Sequence, residues 1–195
     1  MVASFGNISA SGGVYIGVAA ESIVANPGTI TGSIGVILRG NDLSKVFERI
    51  GIRFDTVKSG VYKDILSPDR PLSPEERALL QELIDSSYGQ FVRVVAEGRS
   101  LTEETVRSFA DGRVFSGEQA KTLGLVDELG DEDHARRLAA RLADLDETTT
   151  RPVTLGKPRK KLMNLLPGSQ LIALLQQRLS LELMGSGQVL WLYRP

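Results

Sequence analysis

Val2-Ala3-Ser4-Phe5-Gly6-Asn7-Ile8-Ser9-Ala10-Ser11-Gly12-Gly13-Val14-Tyr15-Ile16-Gly17 is the stretch on which the reading of this chain turns. Residues 2–5 are a short apolar run, the pattern of a buried strand. Small residues then crowd around Ser11. An apolar stretch with almost no charge follows from about Gly13 to Ala25 and predicts a helix with protein on most sides. Ser11 therefore stands where a strand turns into a helix. A helix N-terminus leaves backbone N–H groups without partners and carries a positive partial charge. Both suit a developing oxyanion, and Gly12 and Gly13 let a substrate backbone come close. A plainer alternative stays open, in which Ser11 is the N-cap of a tight turn. The pattern is not the G-x-S-x-G elbow.

Outward from this stretch the chain alternates strand and helix signals. Asn26-Pro27-Gly28 closes the first helix, and Thr29 to Leu38 predicts a β-branched strand interrupted by Gly32 and Gly35. Asn41 or Asp42 caps a short helix that runs to Ile50 and stops at Gly51. Ile52 to Val57 alternates as a strand does. Residues 58–72 form a loop. Ser73-Pro74-Glu75-Glu76 opens the clearest helix, with a capping-box serine, proline in the first position and Glu76 as the return acceptor. Leu80, Ile84, Tyr88, Phe91 and Val95 give that helix an inward face. A short helix follows Thr102, a second capping box at Ser116-Gly117-Glu118-Gln119 opens a helix ending at Gly124, and Leu125 to Gly130 reads as a short strand and turn. A charged helix runs from about Glu132 to Leu145. The class is α/β, with a parallel or mixed sheet and crossover helices.

The last part differs in character. Residues 146–154 read as a polar linker. Lys157-Pro158-Arg159-Lys160-Lys161 is a basic cluster, either a solvated loop or a contact for an anionic membrane surface. Leu171 to Met184 is amphipathic and suits packing or oligomerisation, and Gln188 to Tyr193 reads as an edge strand or docking tail. The organisation expected is thus a core over residues 1–145 and a linker, helix and tail over 146–195.

Composition narrows the chemistry. A chain of 195 residues, 42% hydrophobic and 24% charged, has the balance of a globular protein with a real core. A net charge of −1 gives no strong draw to nucleic acid. There is no cysteine, so disulfides, thiolate metal sites and cysteine nucleophiles are excluded. The one histidine, His134, sits in Asp131-Glu132-Asp133-His134 at the acidic start of a late helix and reads as a solvated helix residue. A multi-histidine metal centre is excluded, and a base for Ser11 has to be sought elsewhere. No signal-peptide pattern opens the chain, and no window of about 18 apolar residues suits a membrane span.

Lysine is the remaining base. At pH 7 only about one ordinary lysine in two thousand is neutral, but burial lowers the pKa toward about 7–8, where the amine can accept a proton. Two lysines fall in the 58–72 loop. Lys63 has Val61, Tyr62, Ile65 and Leu66 around it, whereas Lys58 lies beside Ser59-Gly60 and reads as the more exposed. The residues by themselves leave both open.

Several stretches together carry a resemblance. Ser9 to Ile16 and Ala25-Asn26-Pro27-Gly28-Thr29-Ile30-Thr31-Gly32-Ser33-Ile34-Gly35-Val36 resemble the core of the signal peptide peptidase A family (protease IV, S49 serine peptidases). Ser59-Gly60-Val61-Tyr62-Lys63-Asp64 is similar to that family's lysine loop. Gly112 to Ala120, continued by Gly124-Leu125-Val126-Asp127, resembles a segment shared across the Clp-protease and crotonase-like fold. The resemblance covers residues 3 to about 131, with four motifs in order.

It implies a Clp-protease/crotonase-like α/β fold, a ββα-type superhelix that is N-terminally truncated here. It implies a Ser-Lys dyad, with Ser11 as nucleophile and Lys63 as general base, and so prefers Lys63 to Lys58. It implies that Ser33 orients the lysine amine and that the Gly12 N–H serves the oxyanion hole. No metal and no organic cofactor are expected. The partners implied are peptides, in particular remnant signal peptides, and further copies of the chain in a homo-oligomer; no nucleic acid is expected. Family members carry a membrane anchor and a further strand-helix-strand portion before the nucleophile, whereas ten residues precede Ser11 here. Membrane association would therefore run through a missing N-terminal anchor, on the extracytoplasmic side of a bacterial membrane; a native chain starting at Met1 would be cytoplasmic. Two other readings stand beside the serine endopeptidase. One is a catalytically inactive fragment that binds peptides or oligomerises. The other is a crotonase-like acyl-CoA enzyme.

Overall fold

The computed structural model of the protein describes residues 1–153 and 190–191. The basic cluster and the amphipathic helix expected near the C-terminus lie outside the described residues. The chain divides into two compact units, one built from Met1–Ile34 with the chain from Val92 onward, the other from Gly35–Phe91.

The first unit holds two small sheets. Strands β1 (Val2–Phe5) and β2 (Ile8–Ala10) lead into helix α1 (Gly12–Gly17), and β3 (Ser22–Ala25) and β4 (Ile30–Gly32) follow. β3 lies parallel to β1, with Val2 opposite Ser22 and Phe5 opposite Ala25. β4 lies parallel to β2, with Ile8 opposite Ile30 and Ala10 opposite Gly32. Each ββα turn thus lays one strand in each sheet beside its counterpart from the turn before. The later segment extends both sheets. β5 (Val114–Phe115) pairs antiparallel with β4, helix α2 (Gly117–Thr122) crosses over, and β6 (Glu128–Leu129) joins β3 in parallel. Strand β7 (Leu190–Trp191) closes the edge beside β1, antiparallel, at the place expected of an edge-strand tail. This is the ββα superhelix expected.

The helix predicted from Gly13 to Ala25 is really two elements. α1 ends at Gly17, and Ser22–Ala25 is a strand. Ile23, Val24 and Ala25 are fully buried. A strand buried on both faces of a parallel sheet reads as a continuous apolar run, which periodicity cannot separate from a buried helix. The strand predicted over 29–38 is confined to Ile30–Gly32, because Gly32 turns the backbone to φ 81°. The core of this unit forms where helix α3 (Glu132–Leu142) lays Ala135 and Leu138 on Val2 and Val24. Each such valine or leucine fully removed from water stabilises the fold by about 1.5–3 kcal/mol.

The second unit begins with irregular chain and carries the short helix α4 (Ser44–Arg49), where the Asp42 carboxylate accepts from the Ser44 N–H at 3.0 Å. The strand predicted over Ile52–Val57 does not form. Ile52, Phe54 and Val57 are exposed, and Phe54 sets its ring edge-on to Phe47 at 4.9 Å. Alternation alone makes no strand where no neighbouring strand offers a ladder. The long helix α5 (Pro74–Arg99) contributes residues to both units. Its capping box is formed as expected: the Ser73 hydroxyl accepts from the Glu76 N–H at 3.2 Å, and the Glu76 carboxylate from the Ser73 N–H at 2.9 Å. The second box, Ser116 with Gln119, closes in the same way at α2. The short helix expected after Thr102 is α6 (Glu103–Arg107), capped by the Thr102 side chain.

At the end of α5, in the first unit, the Arg99 guanidinium donates to the Gly124 carbonyl at 3.0 Å and pairs with Asp127. Asp127 in turn accepts from the Ile23 N–H at 2.7 Å, at the head of the buried strand. Among the described residues, no helix is long and apolar enough to cross a membrane.

Candidate active site

Strands β2 and β4 run side by side and end together, so Ser11 and Ser33 each follow one half of the last registered pair, Ala10 and Gly32. The ends of adjacent parallel strands are where α/β sheets place ligands. The Ser11 N–H donates to the Gly32 carbonyl at 2.8 Å, and the Ser33 N–H to the Arg113 carbonyl at 2.7 Å. Buried Thr31 adds a side-chain latch, donating from Oγ1 to the Ser9 carbonyl at 2.7 Å.

Ser11 has φ 51° and ψ −111°, and its side chain makes no capping hydrogen bond. Ser11 thus stands at the N-cap position of α1, as the plainer alternative has it, but its hydroxyl caps no backbone N–H. An L-residue reaches such a backbone region only when its surroundings impose it, at a cost of about 1–3 kcal/mol, and such strain clusters at functional sites. The residue is exposed, as a nucleophile must be. Ser33 shares the feature, with φ 52°, and is half-buried.

The two glycines after Ser11 do different work. A Cβ on Gly12 would meet nothing within 4 Å, so its backbone is open to an approaching group. A Cβ on Gly13 would lie 2.7 Å from Ser9 Oγ, so Gly13 serves packing rather than substrate approach. The strain has a measurable consequence. Ser11→Gly relieves it and Ser11→Ala does not, so the glycine variant should be the more stable by about 1 kcal/mol once the greater flexibility of its unfolded chain is subtracted. Chemical denaturation of the two variants checks this; equal stability would mean an unstrained turn.

Lys63 belongs to the second unit and lies in a run of turns, its N–H donating to the Gly60 carbonyl at 3.2 Å. It is exposed, as are Val61 and Tyr62, while Ile65 and Leu66 are half-buried. Among the described residues its ammonium takes no hydrogen-bond or ion-pair partner. Lys58, expected to be the more exposed, is exposed too, and its ammonium is engaged: Nζ donates to Asp64 at 2.7 Å and to the Val61 carbonyl at 3.1 Å.

His134 is half-buried rather than solvated. Nε2 meets Glu128 at 2.6 Å, and the backbone N–H is capped by Asp131 at 2.8 Å. The Asp131 carboxyl is held below its ordinary range by that N–H. Among the described residues, no group of three metal-ligating side chains could hold a metal ion.

What the sequence did not single out is Arg70. Its guanidinium joins Asp64 to Glu76, and the signal was only a run of opposite charges spaced six apart through a loop.

Known proteins resemble this chain closely. "Putative protease slr0021" of Synechocystis sp. is 54% identical over 203 residues, covering 100% of this chain and 73% of that protein. "Putative signal peptide peptidase SppA" of Enterococcus faecium is 44% identical over 132 residues, covering 68% of this chain and 38% of that one. "Protease 4" of Salmonella typhi is 42% identical over 147 residues, covering 75% and 24%. The chain therefore spans less than half the length of the last two. The family model for peptidase family S49 matches residues 1–146, the span that contains both strained serines and the lysine loop. On this match and on the ββα topology, the chain belongs to peptidase family S49, hydrolases of the Clp-protease/crotonase-like α/β fold.

Proposed function

We propose that this chain is the catalytic part of a serine endopeptidase in which Ser11 is the nucleophile and Lys63 the general base. The observation that carries the reading is the backbone of Ser11: strained, exposed, and with a hydroxyl that caps nothing. Neutral Lys63 takes the Ser11 proton as Oγ attacks the scissile carbonyl. The oxyanion accepts a hydrogen bond from the Gly12 N–H, on the side where no Cβ stands in the way. Lys63 then returns the proton to the leaving amine, and a water, deprotonated by the same amine, hydrolyses the acyl-enzyme. Ser33, at the neighbouring strand end, orients the lysine amine.

Apolar peptides, including remnant signal peptides near a membrane, are the substrates proposed. The name of the Enterococcus relative supports this, as does the pair of exposed isoleucines, Ile8 and Ile30, registered opposite each other on the strands that lead to the serines. Assembly into a homo-oligomer and membrane association belong to the same proposal.

A second reading is a peptide-binding or oligomerisation module without catalysis. The exposure of Val61 (72%) and Tyr62 (49%) favours it, because the loop's own apolar residues do not give Lys63 a dry setting. Incubation with an apolar signal-peptide-like peptide, followed by mass spectrometry, separates the two. Cleavage that disappears in Ser11→Ala supports the peptidase. Binding without cleavage, or cleavage that survives in Ser11→Ala, contradicts it.

A further inference from the structure

Asp64, the residue after Lys63, is the hub of the second unit's polar contacts. Its carboxylate accepts from Lys58 Nζ at 2.7 Å and from Arg70 at 2.8 Å (Nη2) and 3.1 Å (Nε). Arg70 Nη2 also reaches the Asp64 carbonyl at 3.3 Å. The other side of the same guanidinium donates to Glu76 Oε2 at 2.8 Å. Glu76 is buried, its side chain 3% exposed.

Capping does not explain that burial. The Ser116 box does the same work with an exposed Gln119. A buried carboxylate is costly unless a cation and further hydrogen bonds meet it, and Arg70 supplies the cation. Hydrogen bonds from Arg70 hold the Glu76 carboxyl down to about 2, and Arg70 followed by Lys58 holds Asp64 well below the carboxylate range. The network therefore stays ionised wherever a lysine base can act.

We infer that Arg70 is a positioning residue for Lys63: its planar fork ties the backbone and side chain of Asp64 to Glu76 in the first turn of α5, and so fixes the turn that presents the lysine amine. This rests on the reading of Lys63 as the general base. It makes Arg70 and Glu76 part of the catalytic apparatus without contact to substrate.

The test is the rate of fluorophosphonate labelling of Ser11 against pH, on the full chain, for wild type, Arg70→Met, Arg70→Lys and Lys63→Ala. Arg70→Met should slow labelling about tenfold to a hundredfold, as a misplaced catalytic group does. It should also move the midpoint of the pH profile upward, because the proposed base then lacks the fixed placement at Ser11 on which the dyad depends. Arg70→Lys, with charge but no fork, should recover only part of the rate. If Arg70→Met keeps the wild-type profile, or slows uniformly with its midpoint unmoved, while Lys63→Ala is not labelled, the positioning role is overturned and the base assignment stands. If Lys63→Ala labels like wild type, the base assignment itself has failed and the inference falls with it. Should Arg70→Met not fold, Asp64→Asn keeps the Arg70–Glu76 pair and the cap. It should show the same slowing and upward shift, and a wild-type profile there would overturn the inference.

Discussion

Lys63→Ala should abolish acylation of Ser11, while Lys58→Ala should leave it within a few-fold of wild type. General-base catalysis by a positioned side chain contributes about a hundredfold to ten-thousandfold, and the single histidine is engaged by Glu128. The structure separates the lysines by what they touch. Lys58 already spends its ammonium on Asp64 and the Val61 carbonyl. Lys63 has no such commitment among the described residues. Losing Lys58 removes one of the cations at Asp64 but leaves the Arg70 fork in place, and a partly exposed ion pair contributes little. Labelling rates with a fluorophosphonate decide the matter. Loss in Lys58→Ala with retention in Lys63→Ala would reverse the assignment.

The second large effect is expected at Gly32. This glycine has φ 81°, and a Cβ there would lie 2.5 Å from the Phe115 ring and 3.1 Å from the Arg113 carbonyl oxygen. Its own carbonyl accepts the Ser11 N–H. Gly32→Ala meets a left-handed backbone, at about 1–2 kcal/mol, and an overpacked contact, at about 1–3 kcal/mol. A loss of about 3 kcal/mol corresponds to about 10 °C in the unfolding midpoint for a chain of this size. Labelling should fall as well, because Ser11 and Ser33 both hang on this turn. Gly28→Ala is the control, since a Cβ there meets nothing within 4 Å. Equal melting of Gly32→Ala and wild type would show that the turn is not constrained in this way.

Local chemistry was the legible part. The two capping boxes and the turn before α3 followed from side chains acting on nearby backbone, and the stop at Gly51 from the positive φ, 74°, that glycine takes without strain. Elements defined by distant partners were less so. Ser22–Ala25 is a strand because β1 and β6 pair with it on either side, which no local pattern displays. Ile52–Val57 has the alternation but lacks the partner. At the site, Ser11 and its neighbours could be picked out by residue type, and the preference for Lys63 over Lys58 came from the family resemblance. The backbone angle of Ser11 and the register that sets Ser33 beside it emerge only when β2 meets β4. Arg70 stayed hidden because its partners, Asp64 and Glu76, meet across a loop with no regular period.

The most direct test of the account is the intact mass of the chain after incubation with a fluorophosphonate at mildly alkaline pH, for wild type and Ser11→Ala. The account predicts one adduct on wild type and none on Ser11→Ala. An unmodified wild-type chain that is folded, or an adduct that persists in Ser11→Ala, would contradict the claim that Ser11 is an activated nucleophile.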